Sequence, residues 1–361
     1  MNNKKGMILT GAVIGILGAL LVKFGNPMNM GVCVACFIRD IAGAIGLHNA
    51  GVVQYIRPEI IGFIMGSFII ASMMGEFKAT GGSSTITRFL LGIFVMIGAL
   101  VFLGCPLRMV LRLAGGDWNA IFGVFGFVFG VILGTQFIKK GFSLGRSFKQ
   151  NNINGYILPG IAIFLMILRI IKPGFIIFSS KGPGASYAPW LVALAAGLII
   201  GILAQRSRIC MAGGIRDLYL IKDFHLIIGF ISIFIFAFIV TLLLGNFNPG
   251  FTGQPAAHTD GLWNFLGMLL AGFGSVLLGG CPLRQTILAG EGNTDSAVTF
   301  LGMFIGAAIS HNFGLAGTPN GVSFNGKFAV ILGVIIVGLI GFYNIKMNHS
   351  FSSREEVSHN A

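Results

Sequence analysis

Charge is what this sequence has least of: only 10% of its 361 residues are Asp, Glu, Lys or Arg, against about 25% in an ordinary soluble domain. With 55% hydrophobic residues and a mean hydropathy of +0.88, that scarcity excludes a water-soluble globular chain and leaves a polytopic protein in a lipid bilayer. Acidic residues are the scarcer sign, 11 against 24 Lys and Arg, for a formal charge of +13. In a soluble protein that excess would suggest nucleic acid. Here basic loops that fix membrane orientation account for it, and no nucleic-acid partner is expected. Phosphate-loop spacing is also missing, since Gly81-Gly82, Gly182 and Gly184 belong to loops without it. ATP-driven transport by this chain alone is therefore not expected. Five cysteines make an odd set, which argues against a disulfide framework. The Cys-x-x-Cys of Cys33 and Cys36 has no second Cys or His pair nearby. Neither a metal site nor a cofactor is expected. The basic residues 1 to 6 precede no small-residue cleavage site, so the run from Met7 to Lys23 reads as a retained membrane helix.

What the chain does have is glycine, 55 residues, and phenylalanine, 34. Small residues let membrane helices approach closely and aromatics fill the gaps. Apolar runs predict ten spans, at about 7 to 24, 59 to 74, 88 to 103, 120 to 138, 156 to 171, 190 to 205, 226 to 244, 262 to 279, 297 to 313 and 328 to 345. The fold class is thus all-α and polytopic.

One five-residue stretch occurs twice, as Gly104-Cys105-Pro106-Leu107-Arg108 and Gly280-Cys281-Pro282-Leu283-Arg284, each just after an apolar run. Proline suits the first turn of a helix, where its missing N–H costs nothing, so each cysteine is placed at a helix N-terminus. Free N–H groups there attract anions. A second pair of segments also matches, around Cys33 with Arg39-Asp40 and around Cys210 with Arg216-Asp217; Gly213 stands opposite Cys36. Adjacent Arg and Asp in both copies read as structural ion pairs, because intramembrane charges need partners. Arg108 and Arg284, one turn past their cysteines, suit either an anion or a carboxylate.

These matches predict an internal duplication, with 1–178 and 179–346 as the two halves and 347–361 as a polar, disordered tail. Five spans per half insert the second half upside down, an arrangement of transporters whose site lies between the repeats. The Cys motifs then occupy short re-entrant helices entering from opposite faces, and two funnels meet at a waist. Loop charges, Lys4, Lys5, Lys139, Lys140, Arg206 and Arg208 among them, place both termini in the cytoplasm. His311 near the ninth span reads as a structural histidine before a proton relay. Glu291, Asn293 and Asp295 have the look of a polar turn capping the next span, though Glu291 could line the vestibule.

Leu-Ala-Gly-Gly-Asp-Trp-Asn-Ala (113 to 120) after one Gly-Cys-Pro-Leu-Arg and Leu-Ala-Gly-Glu-Gly-Asn (288 to 293) after the other make the chain resemble the YeeE/YedE family of sulfur-compound membrane transporters. Within it the chain looks most like the YedE-related selenium-metabolism branch. The resemblance implies an hourglass-shaped inner-membrane importer of a small selenium or sulfur anion, with thiosulfate import as the alternative. A soluble sulfur-carrier protein fits it as partner. The implied substrate path carries Cys33, Cys105 and Cys281, with Cys36 able to exchange roles with Cys33. Cys210 is a departure, a fourth thiol where the thiosulfate branch has three. Arg108 and Arg284 complete the candidate path residues. A rival of another class is a membrane-embedded thiol sulfurtransferase; no His or carboxylate follows Cys105 or Cys281 at general-base spacing, which argues against an enzyme.

Overall fold

The structure is a computed structural model that describes the backbone of residues 4–359 and the side chains of residues 4–347. It contains fourteen helices: α1 (Lys4–Lys23), α2 (Val34–Ala44), α3 (Pro58–Met73), α4 (Thr85–Val101), α5 (Pro106–Ala114), α6 (Asn119–Lys139), α7 (Asn152–Ile171), α8 (Trp190–Ser207), α9 (Met211–Ile221), α10 (His225–Leu243), α11 (Gly261–Leu277), α12 (Pro282–Gly290), α13 (Thr294–Asn312) and α14 (Phe324–His359). Ten of these fall on the ten expected spans. The other four, α2, α5, α9 and α12, carry the cysteine motifs. At nine residues, α5 and α12 are only about 14 Å long, less than half the hydrocarbon thickness.

Sequence accounts for most helix starts. Proline opens α3, α5 and α12. Asn151 and Asn293 cap α7 and α13 by accepting from Ile153 N and Ser296 N. Cys33 and Cys210 do the same with sulfur, accepting from Cys36 N and Gly213 N.

Eight segments are long and apolar enough to cross a bilayer, three of them counting a short helix with the span before it. Two expected spans fall short of that standard. Helix α3 has 16 residues, and α13 carries Asp295, Ser310, His311 and Asn312. Both lie against protein, α3 on α8 and α13 on α4, where a short or polar helix is tolerated. The tail expected to be disordered continues α14 as helix to His359, since an established helix propagates at one hydrogen bond per residue. Residues 360 and 361 lie outside the described residues.

Helix packing shows an exchange relation between α1–α6 and α8–α13. Helix α1 packs on α10 and α3 on α8; α6 packs on α11 and α4 on α13; α5 meets α10 and α12 meets α3. Exchanging α1–α6 with α8–α13 turns each of these contacts into its counterpart. Two isolated backbone bridges obey it as well, Thr80 with Asn293 and Asp117 with Gly250. Close approach depends on glycine: a Cβ at Gly62 would stand 2.7 Å from the Gly197 backbone. At the centre, Gly98 of α4 and Gly267 of α11 face each other. Helices α7 and α14 break the pattern, α7 lying on α3 and α12 while α14 lies on α4 and α11.

Candidate substrate path

All five cysteines are buried and free, and they belong to one contiguous core. They form two clusters, one per half. In the first, Cys33 Sγ accepts from Cys36 N at 3.2 Å and lies 2.7 Å from Cys36 Sγ. Cys105, the N-cap of α5, is buried beside them, its sulfur interacting with the Cys33 thiol and with the backbone N–H groups of Arg108 and Ala35. The free amides of α5 and α2 therefore converge on one sulfur, an arrangement that favours negative charge. In the second cluster, Cys210 Sγ accepts from Gly213 N at 3.3 Å and from Cys281 N at 3.4 Å. The Cys210 and Cys281 thiols are hydrogen-bonded to each other. Gly213 takes the backbone role of Cys36 and leaves the second cluster one sulfur short.

The two motif arginines, equivalent in sequence, have opposite surroundings. Arg284 pairs with Glu291 at 3.1 Å. Arg108 is 1% exposed and has no carboxylate partner among the described residues. Its Nε donates to Asn29 O at 2.7 Å and its Nη2 to Ala256 O at 2.9 Å, while Nη1 donates to Leu103 O and to Cys36 Sγ at 3.1 Å. Backbone dipoles orient this guanidinium without neutralising it, so an anion beside it would gain a full opposite charge in a low-dielectric site.

Leu103 helps make that site at a cost. Its φ is +64°, a left-handed conformation that side chains other than glycine rarely adopt, whereas the matching position in the other half is Gly279, at +80°. The strained turn presents the Leu103 carbonyl to Arg108 and, at 3.9 Å, to the Cys36 thiol.

A cavity of about 450 Å³ has Arg39, Leu103, Arg108, Ala256 and His311 in its wall, and Arg108 separates it from the first cluster. Asp40 is shared by Arg39 at 2.6 Å and Arg57 at 2.7 Å, all three buried. Two guanidiniums on one carboxylate leave a surplus of positive charge, and Arg108 adds to it. The second Arg-Asp pair, Arg216 with Asp217 at 2.8 Å, is partly exposed and balanced. The structural reading of both pairs thus agrees with the geometry, but only the first faces a cavity. His311 lies against His48 with ring centroids 4.6 Å apart and planes tilted by 30°, and its Nε2 has no partner among the described residues. Asn293 caps α13 as the sequence suggested, and Asp295 ties Gly82, Ser83 and Ser147 together rather than lining the cavity.

Sequence reasoning missed Asn29, Leu103, Ala256 and His48. Asn29 and Ala256 take part through backbone carbonyls that any residue could supply, and Ala256 lies 148 residues from Arg108. No sequence signal could have found them.

The long apolar helices define a helical membrane protein, and its buried helix starts, paired thiols and Arg108 gather on one side of a cavity. Residues 206–345 match the family model described as Sulphur transport. A thiosulfate transporter, TsuA, of Escherichia coli is 28% identical over 125 residues, covering 33% of this chain and 33% of the relative. A second thiosulfate transporter TsuA, of Spirochaeta thermophila, is 32% identical over 112 residues, 30% of this chain and 33% of the relative. The aligned stretches thus span about a third of each curated relative. Over residues 206–345 the chain is thus similar to a family of sulfur transporters, and over about a third of its length to two thiosulfate transporters. Neither relative's name refers to selenium, so the branch expected from the stretches after the cysteines gains no support from these comparisons.

Proposed function

We propose that the protein imports a small sulfur-bearing anion, thiosulfate before any selenium species, through a path that passes both thiol clusters. The observation that carries this reading is Arg108, a buried cation with no carboxylate partner among the described residues, lying between a cavity and three thiols. An anion enters the cavity toward the surplus charge of Arg39, Arg57 and Arg108, and sheds water against the free amides of α2 and α5. Its outer sulfur is soft and polarisable, and thiols donate weak S–H hydrogen bonds to it. Weak bonds suit passage, because a site that conducts must also release. The second cluster, Cys210 and Cys281, receives the anion on the far side of the waist.

The exchangeable packing of the two halves supports an inverted repeat, with the cavity at one face and the second cluster nearer the other. In this reading the chain resides in the inner membrane with both termini cytoplasmic, and a soluble sulfur-carrier protein accepts the product there. No bond in the substrate is broken, which separates this reading from a membrane sulfurtransferase.

The test is uptake of labelled thiosulfate by sealed proteoliposomes, with selenite as competitor. Cys105→Ala and Cys281→Ala should each abolish uptake while the protein stays folded. Undiminished uptake with both replaced would refute a direct role for the pair, and a stable substrate adduct on either cysteine, seen by mass spectrometry, would favour the transferase. Stronger uptake of selenite than of thiosulfate would restore the selenium reading.

A further inference from the structure

The Cys-x-x-Cys of the first half does more than the import reading asks of it. A single thiol at the start of each short helix suffices to line a path, and the second half makes do with glycine at position 213. In the first half a second sulfur, Cys36, is brought to 2.7 Å from Cys33 Sγ. The placement follows from local structure. Cys33 is the N-cap, with an extended φ of −146° that turns its side chain back over the first turn. Cys36, one turn further on, lies on the same face. Two thiols at this spacing, one of them the helix cap, are already near the geometry a disulfide needs.

The pair lies one side chain behind the cavity. Arg108 lies in the cavity wall, and its Nη1 donates directly to Cys36 Sγ at 3.1 Å. A cavity of about 450 Å³ has room for a hydroperoxide many times over, since a water's share of liquid volume is about 30 Å³.

We infer that Cys33 and Cys36 form a reversible oxidation site, converted to a disulfide by a hydroperoxide that enters the cavity, and that import stops while the disulfide persists. In the first step the Cys36 sulfur attacks one peroxide oxygen and the O–O bond breaks. The departing hydroxide takes the thiol proton as water and leaves Cys36 as a sulfenic acid. In the second, the Cys33 sulfur displaces that hydroxyl, which leaves as a second water with the Cys33 proton, and the S–S bond forms. Two thiols lose two electrons and one peroxide gains them. A dithiol reductant reverses the change by exchange. The disulfide removes both S–H donors and with them the Cys36 bond to Leu103 O. The second half cannot respond in this way, because Gly213 carries no sulfur. The gating part of this inference rests on the import reading; the chemical part does not.

The test uses the full chain in proteoliposomes exposed to graded hydrogen peroxide, then denatured, alkylated and cleaved with trypsin. Cleavage after Lys23 and Arg39 leaves both sulfurs in one peptide, which should appear two hydrogens lighter and unalkylated, and recover under dithiothreitol. Alkylation of both sulfurs after peroxide, or a disulfide joining Cys33 to the Cys105 peptide, overturns the site. Uptake measured on the same vesicles should fall about tenfold or more, the loss expected when a hydrogen bond to a charged group is forfeited, in proportion to the disulfide fraction. Uptake that ignores the disulfide fraction overturns the gating. Absence of uptake in the fully reduced parent counts against the import reading instead, and the mass readout still decides the oxidation site.

Discussion

Replacing each motif arginine by glutamine tests whether equivalent sequence positions carry unequal loads. Arg108→Gln removes the donors to three carbonyls. Leu103 O keeps the Cys36 thiol as partner, whereas Asn29 O and Ala256 O lose theirs. Two partly buried carbonyls left unpaired, at about 1–3 kcal/mol each, give a loss of about 2–4 kcal/mol after allowing for partial solvent access. Arg284→Gln breaks one ion pair whose side chains are 11% and 18% exposed. That change should cost about 1 kcal/mol or less, because water reaches the orphaned Glu291. Thermal unfolding in detergent, followed by intrinsic fluorescence, should therefore place Arg108→Gln several degrees below Arg284→Gln. Equal midpoints, or the reverse order, would refute the claim that, of the two motif arginines, only Arg108 lacks a carboxylate partner among the described residues. Arg108→Lys keeps the charge but not the three-way fork, and should recover uptake at low ionic strength better than it recovers stability.

Gly279→Ala places a Cβ in open space at φ +80°, so its cost should be backbone strain alone, about 1–2 kcal/mol, measured by the same melts. An unchanged midpoint would show that the turn before Cys281 relaxes. Gly62→Val drives a side chain into the Gly197 backbone between α3 and α8 and should abolish folded protein in size-exclusion profiles; a normal profile would contradict that helix contact. Burial pushes the His48 imidazole below its ordinary range, so the unfolded chain binds the proton more readily than the folded one. Stability is then present above the ordinary histidine value and is lost as pH falls through that value toward the folded one. His48→Gln should flatten this slope between pH of about 7 and 5; an identical slope in the variant would assign the effect elsewhere.

Much of the molecule is decided within short stretches of chain. Apolar runs bounded by Gly and Pro specify the ten long helices, and Gly-Cys-Pro specifies two short ones, because helix formation and N-terminal capping depend on residues a few positions apart. The duplication is likewise readable, since copies of a motif carry their register with them. What sequence could not supply is the whole of the difference between the copies. Whether Arg108 meets a carboxylate or three carbonyls depends on loops 79 and 148 residues away, and no local pattern encodes which backbone oxygens a buried guanidinium will reach. The cavity, the turn strained at Leu103 and the departure of α7 and α14 from the exchange all arise from packing between distant segments. Local chemistry made the halves alike except that one carries Glu291 where the other has Gly116, and tertiary contacts decided which distant carbonyls Arg108 reaches in place of a carboxylate.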